Sequence, residues 1–134
     1  MTMAAVVTFG VDLALLLDRF FGAAEVGDRW ETTAAEVITE VASDVETHLR
    51  GHGIEAEDIT EAHAPRSYRW LQTTILYGAA SELARRVGAT ELEAIEAWDQ
   101  KFKDRLAQLD SNANLVLGDL TTRARSTRTL YAFR

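Results

Sequence analysis

The chain has 134 residues, a formal net charge of −7 and no cysteine. That length suits one domain able to bury a core without disulfides or metals, and the missing thiol excludes disulfides, Cys-ligated metals and a cysteine nucleophile. A hydrophobic fraction of 47% is that of a globular protein, and one proline with few turn clusters favours long helices over a many-stranded β fold.

Residues 4–9 (Ala-Ala-Val-Val-Thr-Phe) are β-prone and extended. Gly10 separates them from a short predicted helix over 11–21, with Leu13, Leu16, Leu17 and Phe20 at helical spacing and Leu15 and Phe21 on a second face. A helix apolar on two sides must be covered on two sides, and in so small a domain one cover is expected from another chain. Asp12, Asp18 and Arg19 interrupt the apolar stretch 4–24, so it is not read as a membrane span. Met1–Gly10 carries no positive charge, so it is not read as a secretory leader. A chain made and folded in a cytoplasm is the expectation.

Gly22–Asp28 reads as a loop. Thr32 or Thr33 then caps a second helix reaching Arg50, Glu36 completing a capping box with Thr33. Val37, Val41, Val45 and Leu49 form its apolar face, widened by Ile38 and Ala42. Glu36, Glu40 and Asp44 form an acidic row at i, i+4 spacing. Like charges so spaced repel by a few tenths of a kcal/mol per pair, so the row is solvated or faces a positive partner. Gly51 and Gly53 stop this helix. Residues 54–64 form an acidic loop with room for one helical turn.

Pro65 stands where a helix tolerates proline, in the first turn. The helix it opens runs to Val87, striped by Leu71, Ile75, Ala79 and Leu83 with Tyr68, Leu76 and Ala80 alongside, and it is the central core helix of this reading. Gly88 ends it. Thr90 caps a fourth helix to Leu109, striped by Ile95, Trp98, Phe102, Leu106 and Leu109, and Asp110–Asn114 is a polar break. Leu115–Arg134 has no helical stripe and reads as extended. The fold class is therefore all-α: a small helical bundle, residues 1–118, with an extended C-terminal arm, residues 119–134.

Signals for catalysis are poor. The chain contains no GxxxxGK, GxGxxG or GxSxG sequence. The carboxylates Glu55, Glu57, Asp58 and Glu61 are crowded, but acid/base pairs need a cleft that separates their pKa values, so a solvated acidic face is the reading. His48 and His52 have a spacing that can hold a metal on one helix face. Gly51 between them puts His52 past the helix end, so both read as imidazoles suited to a helix C-terminus. His63 reads as a surface loop residue. No enzyme activity, metal or cofactor is expected.

Partner binding is better supported. Trp98 falls on an apolar stripe and reads as core, whereas Trp70, beside Arg69 and off the main stripe, is a candidate interface residue. Residues 119–134 carry Arg123, Arg125, Arg128 and Arg134 against Asp119, a net of +3, leaving −10 on the rest. Leu130, Tyr131 and Phe133 close the chain. Arginines supply bidentate contacts to carboxylates, so Arg123, Arg125, Arg128, Leu130, Tyr131, Phe133 and Arg134 form a docking arm, and body and arm have different neighbours.

The arrangement resembles the head-to-tail connector proteins of tailed phages, the adaptor or head-completion subunits. The resemblance covers residues 31–134. It comprises an acidic helix ending in Val45-Glu46-Thr47-His48-Leu49-Arg50-Gly51, the loop to Pro65, and the helix from Trp70-Leu71-Gln72 to Leu83-Ala84. The helix with Trp98 and Phe102 and the trailing C-terminal segment complete it. The N-terminal apolar helix has no counterpart in that pattern. The resemblance implies a virion neck protein, a homo-oligomeric ring of about a dozen copies on the portal protein, with a tail or neck protein as second neighbour. DNA passes through such a ring without sequence-specific binding. Glu36, Glu40 and Asp44 are then candidates for an acidic lumen, which repels phosphates. Another neck or tail-completion subunit, such as a tail terminator, is one alternative, and a cellular helical regulator or antitoxin-like binding module is another.

Overall fold

The computed structural model describes residues 6–22, 28–88 and 92–119. Among them lie four α-helices and no strand: α1 (Leu13–Phe20), α2 (Asp28–Gly51), α3 (Pro65–Arg86) and α4 (Leu92–Val116), with a single 3₁₀ turn at Ala56–Asp58. The all-helical class expected from the sequence is the class observed.

The centre is α3. Its buried residues, from Ser67 and Leu71 through Ile75, Leu76, Ala79, Ala80 and Leu83 to Ala84, point in all directions around the helix. A helix buried on so many sides must be packed on them, and here α2 and α4 pack along it while the N-terminal segment and α1 cover further parts, leaving Arg66, Arg69, Arg85 and Arg86 exposed. Gly78 lies where α2 and α4 both press on α3. A Cβ there would stand 2.8 Å from Val41 Cγ1 and 2.8 Å from Phe102 Cδ1.

The second helix begins earlier than the capping box suggested. It starts at Asp28, so Thr32 and Thr33 lie inside it. The reason is an aromatic contact: Trp30 meets the Phe21 ring edge-on at 5.3 Å, and Trp30 prefixes the apolar series Ala34, Val37, Val41, Val45 and Leu49. Its end follows the glycines. Ile54 N–H donates to Leu49 O (3.0 Å) and Gly53 N–H to Arg50 O (2.9 Å), with Gly53 at φ 72°. This is the Schellman pattern, whose left-handed C′ position favours glycine.

The fourth helix outruns its expected end. The span Asp110–Asn114 is helical apart from Asn112 (φ −139°, ψ 50°), and Leu115 and Val116 continue the helix. The polar residues mask a stripe that persists: Leu109 and Leu117 are fully buried, with Ala113 and Val116 packed on the core between them. Within the earlier stripe Ile95 is buried, whereas Trp98, Phe102 and Leu106 are half-buried at the core margin.

Both apolar sides of α1 find packing partners within the chain, although Leu13, Leu15, Leu17, Phe20 and Phe21 stay half-buried. Leu16 is buried, Phe20 packs edge-on against Tyr77 (5.5 Å) and Trp98 (5.2 Å), and Phe21 packs against Trp30 and Trp98. Asp12 caps α1, its Oδ1 accepting from Leu15 N–H at 2.9 Å. Residues 6–8 have no regular structure, and Thr8–Val11 is a tight turn with Val11 N–H donating to Thr8 O. Phe9 there has φ 53°, a conformation costing a bulky residue about 1–2 kcal/mol. Its burial against Tyr68 and the Gln72 Nε2 bond to its carbonyl (2.9 Å) hold it there. Thr90, named as the cap of the fourth helix, lies outside the described residues.

Gly78→Ala tests the three-helix crossing. Helix propensity favours alanine by up to about 1 kcal/mol, but Val41 is stiff at χ1 and overpacking costs about 1–3 kcal/mol. The variant is expected to be less stable than the parent in urea denaturation. An equal or higher midpoint would show that the helices can part at this point.

Candidate interaction surface

Four polar constellations lie on this scaffold, each joining residues far apart in sequence. The first closes the C-terminal end of the described chain onto α3. Ala64 at the N-cap of α3 has no side-chain acceptor to offer, and Pro65 removes one N–H. Asp119 supplies what is missing: its carboxylate accepts from Arg66 N–H (3.0 Å), Ser67 N–H (3.2 Å) and the buried Ser67 hydroxyl. A residue more than fifty positions away thus does the work of an N-cap and places a negative charge at the positive helix end. Asp119, read from sequence as the first residue of the extended arm, is helical and bonded to the bundle, as Leu117 is buried in it. The arm residues Arg123, Arg125, Arg128, Leu130, Tyr131, Phe133 and Arg134 lie outside the described residues.

The second constellation joins the end of α2 to α4. His48 Nδ1 sits 2.9 Å from Asp110 Oδ1, and His52 Nε2 sits 3.3 Å from the same oxygen. His52 does fall past the end of α2, as Gly51 implied. The two imidazoles nevertheless converge on the Asp110 carboxylate; among the described residues no group of three or more His, Cys, Asp or Glu side chains could hold a metal ion. The Asp110 carboxyl is held below its ordinary range, chiefly by the His48 hydrogen bond. His63 is exposed in the loop as expected, its Nδ1 3.1 Å from Thr60 Oγ1.

The third is the acidic row of α2. Glu36 and Glu40 are exposed but not free: Arg86 of α3 reaches Glu40 at 2.5 Å and Glu36 at 4.0 Å, and also binds Glu82 at 3.1 Å. The hydrogen bonds Arg86 donates to Glu82 and then to Glu40 raise its pKa. The positive partner that the row called for is thus in the same chain. Asp44 is exposed. Two of the three carboxylates assigned to an acidic lumen are therefore partly neutralised.

The fourth surrounds Trp70, half-buried on α3. The Arg105 guanidinium of α4 lies over the indole, 4.4 Å from the ring centre. Its Nε donates to Thr74 Oγ1 (2.8 Å) and its Nη2 to the Trp70 carbonyl (2.8 Å). Thr74, fully buried, in turn donates to Trp70 O at 2.8 Å. Stacking and two hydrogen bonds fix an arginine whose partial burial lowers its pKa. Sequence reasoning passed over Arg105, although one signal existed: it lies seven residues after Trp98 and three after Phe102, a cation at the edge of an apolar stripe.

The comparisons identify no family. No protein-family model matches the chain, and no match was found among curated proteins or solved structures.

Two predictions follow from the bonds to Asp119 and Asp110. Asp119→Ala removes the α3 cap and orphans the Ser67 hydroxyl, so urea unfolding should show a loss of about 2–3 kcal/mol, with Asp119→Asn losing less. A loss below about 0.5 kcal/mol, the range of neutral surface changes, would show that the contact contributes nothing. For Asp110, the folded-state pKa lies below the ordinary 3.8. Its stabilising effect is therefore present above pH 3.8 and is lost as pH falls through the lower folded value. Thermal melts of Asp110→Asn should fall below the parent at pH 5 and converge with it in acid. A gap that persists undiminished at pH 2 would rule out this linkage.

Proposed function

We propose that the chain is a non-enzymatic structural subunit that works by joining other proteins, and that its place is the neck of a tailed virus as a head-to-tail connector on the portal. The observation that carries this reading is the Asp119 contact with Arg66 and Ser67. It fixes the last described residue, to which residues 120–134 are joined, at the N-terminal end of α3.

Charge gives that point its meaning. All 21 acidic residues and ten of the 14 basic ones lie in residues 1–119, a net of −11. The remaining four, Arg123, Arg125, Arg128 and Arg134, give the rest of the chain +4. A cationic segment ending in Leu130-Tyr131-Ala132-Phe133 and tethered at a fixed place suits docking on an acidic neighbour. One buried aromatic there would contribute about 1.5–3 kcal/mol. The strongly negative body suits a ring through which DNA moves, because it repels phosphates. The Arg86 contacts with Glu36 and Glu40 leave Asp44 and the exposed loop carboxylates Glu55, Glu57, Asp58 and Glu61 as the better candidates for a channel face.

The test keeps the Asp119 contact. A chain truncated after Leu120 should remain folded by far-ultraviolet circular dichroism yet fail to sediment with portal rings or empty heads. Reversal of Arg123, Arg125 and Arg128 to Glu should weaken attachment more at low than at high salt, as screening requires. Co-sedimentation of the truncated chain at full-length levels would remove the arm from the docking role. Failure of the full-length chain to bind portal at all would favour a cellular binding module.

A further inference from the structure

The described cations of this chain fall into two sets. Arg50, Arg85, Arg86 and Lys103 each have a carboxylate within 4 Å. Arg19, Arg66, Arg69, Lys101 and Arg105 have no ion pair among the described residues, and three of these, Arg66, Arg69 and Arg105, lie on or reach the stretch of α3 that carries Trp70. Arg66 and Arg69 are exposed, and with Trp70 and Thr73 they occupy positions i, i+3, i+4 and i+7, one face of α3. Arg105 reaches that face from α4 and stacks on the indole.

Nearby carboxylates are already engaged. Asp104, beside Arg105, accepts from Gln100 Nε2 at 2.8 Å, and Asp119 accepts from the first turn of α3. Arg105 is also the most constrained of the three. The Nε and Nη2 edge of its guanidinium points inward at Thr74 and Trp70, which leaves the end-on edge formed by the two terminal nitrogens. That edge matches the two oxygens of a carboxylate. A half-buried, immobilised cation without a counter-charge gains more from an incoming anion than a solvated one does, because part of its hydration is already lost and little side-chain freedom remains to lose.

We propose that the face formed by Arg66, Arg69, Trp70 and Arg105 is a docking site for a carboxylate-rich segment of a partner protein. Charge complementarity is local: three unpaired guanidinium groups stand on a chain that is otherwise strongly acidic. The spacing is short, about 11 Å from residue 66 to residue 73 of a helix, the reach of three or four residues of extended peptide. Tryptophan with arginine is the composition of interface hot spots, the ring accepting an apolar neighbour while the guanidinium groups take the acids. A nucleic acid is the poorer fit, since its dense line of phosphates would extend beyond this stripe onto a body of net charge −11. This site does not depend on the connector reading.

The experiment uses the full chain and a synthetic peptide of sequence (Glu-Leu-Asp-Gly)₃, titrated at low salt with tryptophan fluorescence and calorimetry. The wild type should bind and perturb Trp70 emission, and Trp70→Phe should abolish that spectral change. Arg66→Gln/Arg69→Gln, both at exposed positions, should melt like the parent and bind about tenfold or more weakly. Arg105→Lys, which keeps the charge but loses the fork, should also weaken binding. Arg19→Gln/Arg50→Gln removes the same number of charges from α1 and α2, which contribute no residue to this face, and should leave the affinity within about twofold. Equal losses in both double variants would reduce the effect to net charge and overturn the proposal. So would absence of binding at millimolar peptide, tighter binding of single-stranded DNA through Arg66 and Arg69, or self-association of the chain abolished by their removal.

Discussion

The burial of the central turns of α3 constrains everything else in the fold. A helix with Leu71, Ile75, Leu76, Ala80 and Leu83 all removed from water meets solvent mainly near its ends, at Arg66 and Arg69 and at Arg85 and Arg86. Burying a large aliphatic side chain is worth about 1.5–3 kcal/mol, so leaving any flank open would forfeit a large share of the net stability of a domain this size. The flanks are shared out: α2 and α4 take the long sides, and the turn at Phe9 with α1 closes the rest. Small residues make the arrangement possible. Gly78, Ala79 and Ala80 let neighbouring helices approach where Leu or Phe would hold them apart.

The same constraint explains the polar chemistry. The first N–H groups of α3 need acceptors that Ala64 and Pro65 cannot supply. Asp119 answers this, and in doing so pins the short segment that follows α4. Thr74 and Ser81 are polar and buried on α3, and each donates to a carbonyl one turn back, Trp70 O and Gly78 O. Thr74 has acceptor capacity left for the Nε of Arg105. The arginine that stacks on Trp70 is therefore held by groups whose first task is to satisfy the core. Structure and recognition share these atoms, so the Trp70 face is rigid before any partner arrives, which lowers the ordering cost of binding.

The acidic groups divide along a similar line. Glu36, Glu40 and Glu82 are drawn together by Arg86, and Asp110 gathers His48 and His52. Both clusters tie helices at the surface, where exposed ion pairs contribute little to stability. Residue separation in sequence says nothing about such pairings; they arise from the crossing of α2 with α3 and α4. The carboxylates of the 55–61 loop remain at the surface.

Sequence alone determined the helical class, the central helix and the main stops. The spacing of Leu71, Ile75, Ala79 and Leu83, the placing of Pro65 and the glycines at 53 and 88 act through the nearest turns of the backbone, which is why they are legible without a structure. The start of α2 was not, because it depends on Trp30 meeting Phe21, a tertiary contact that overrides the capping-box pattern at Thr33. Nor was the continuation of α4, because polar residues at 110–112 hide the burial of Leu109 and Leu117 on either side. The cover of α1 by Tyr77, Trp30 and Trp98, the capping of α3 by Asp119 and the seating of Arg105 on Trp70 were decided by the tertiary structure. Each joins side chains on different elements, and the packing of helices around α3, rather than any local rule, sets which of them meet.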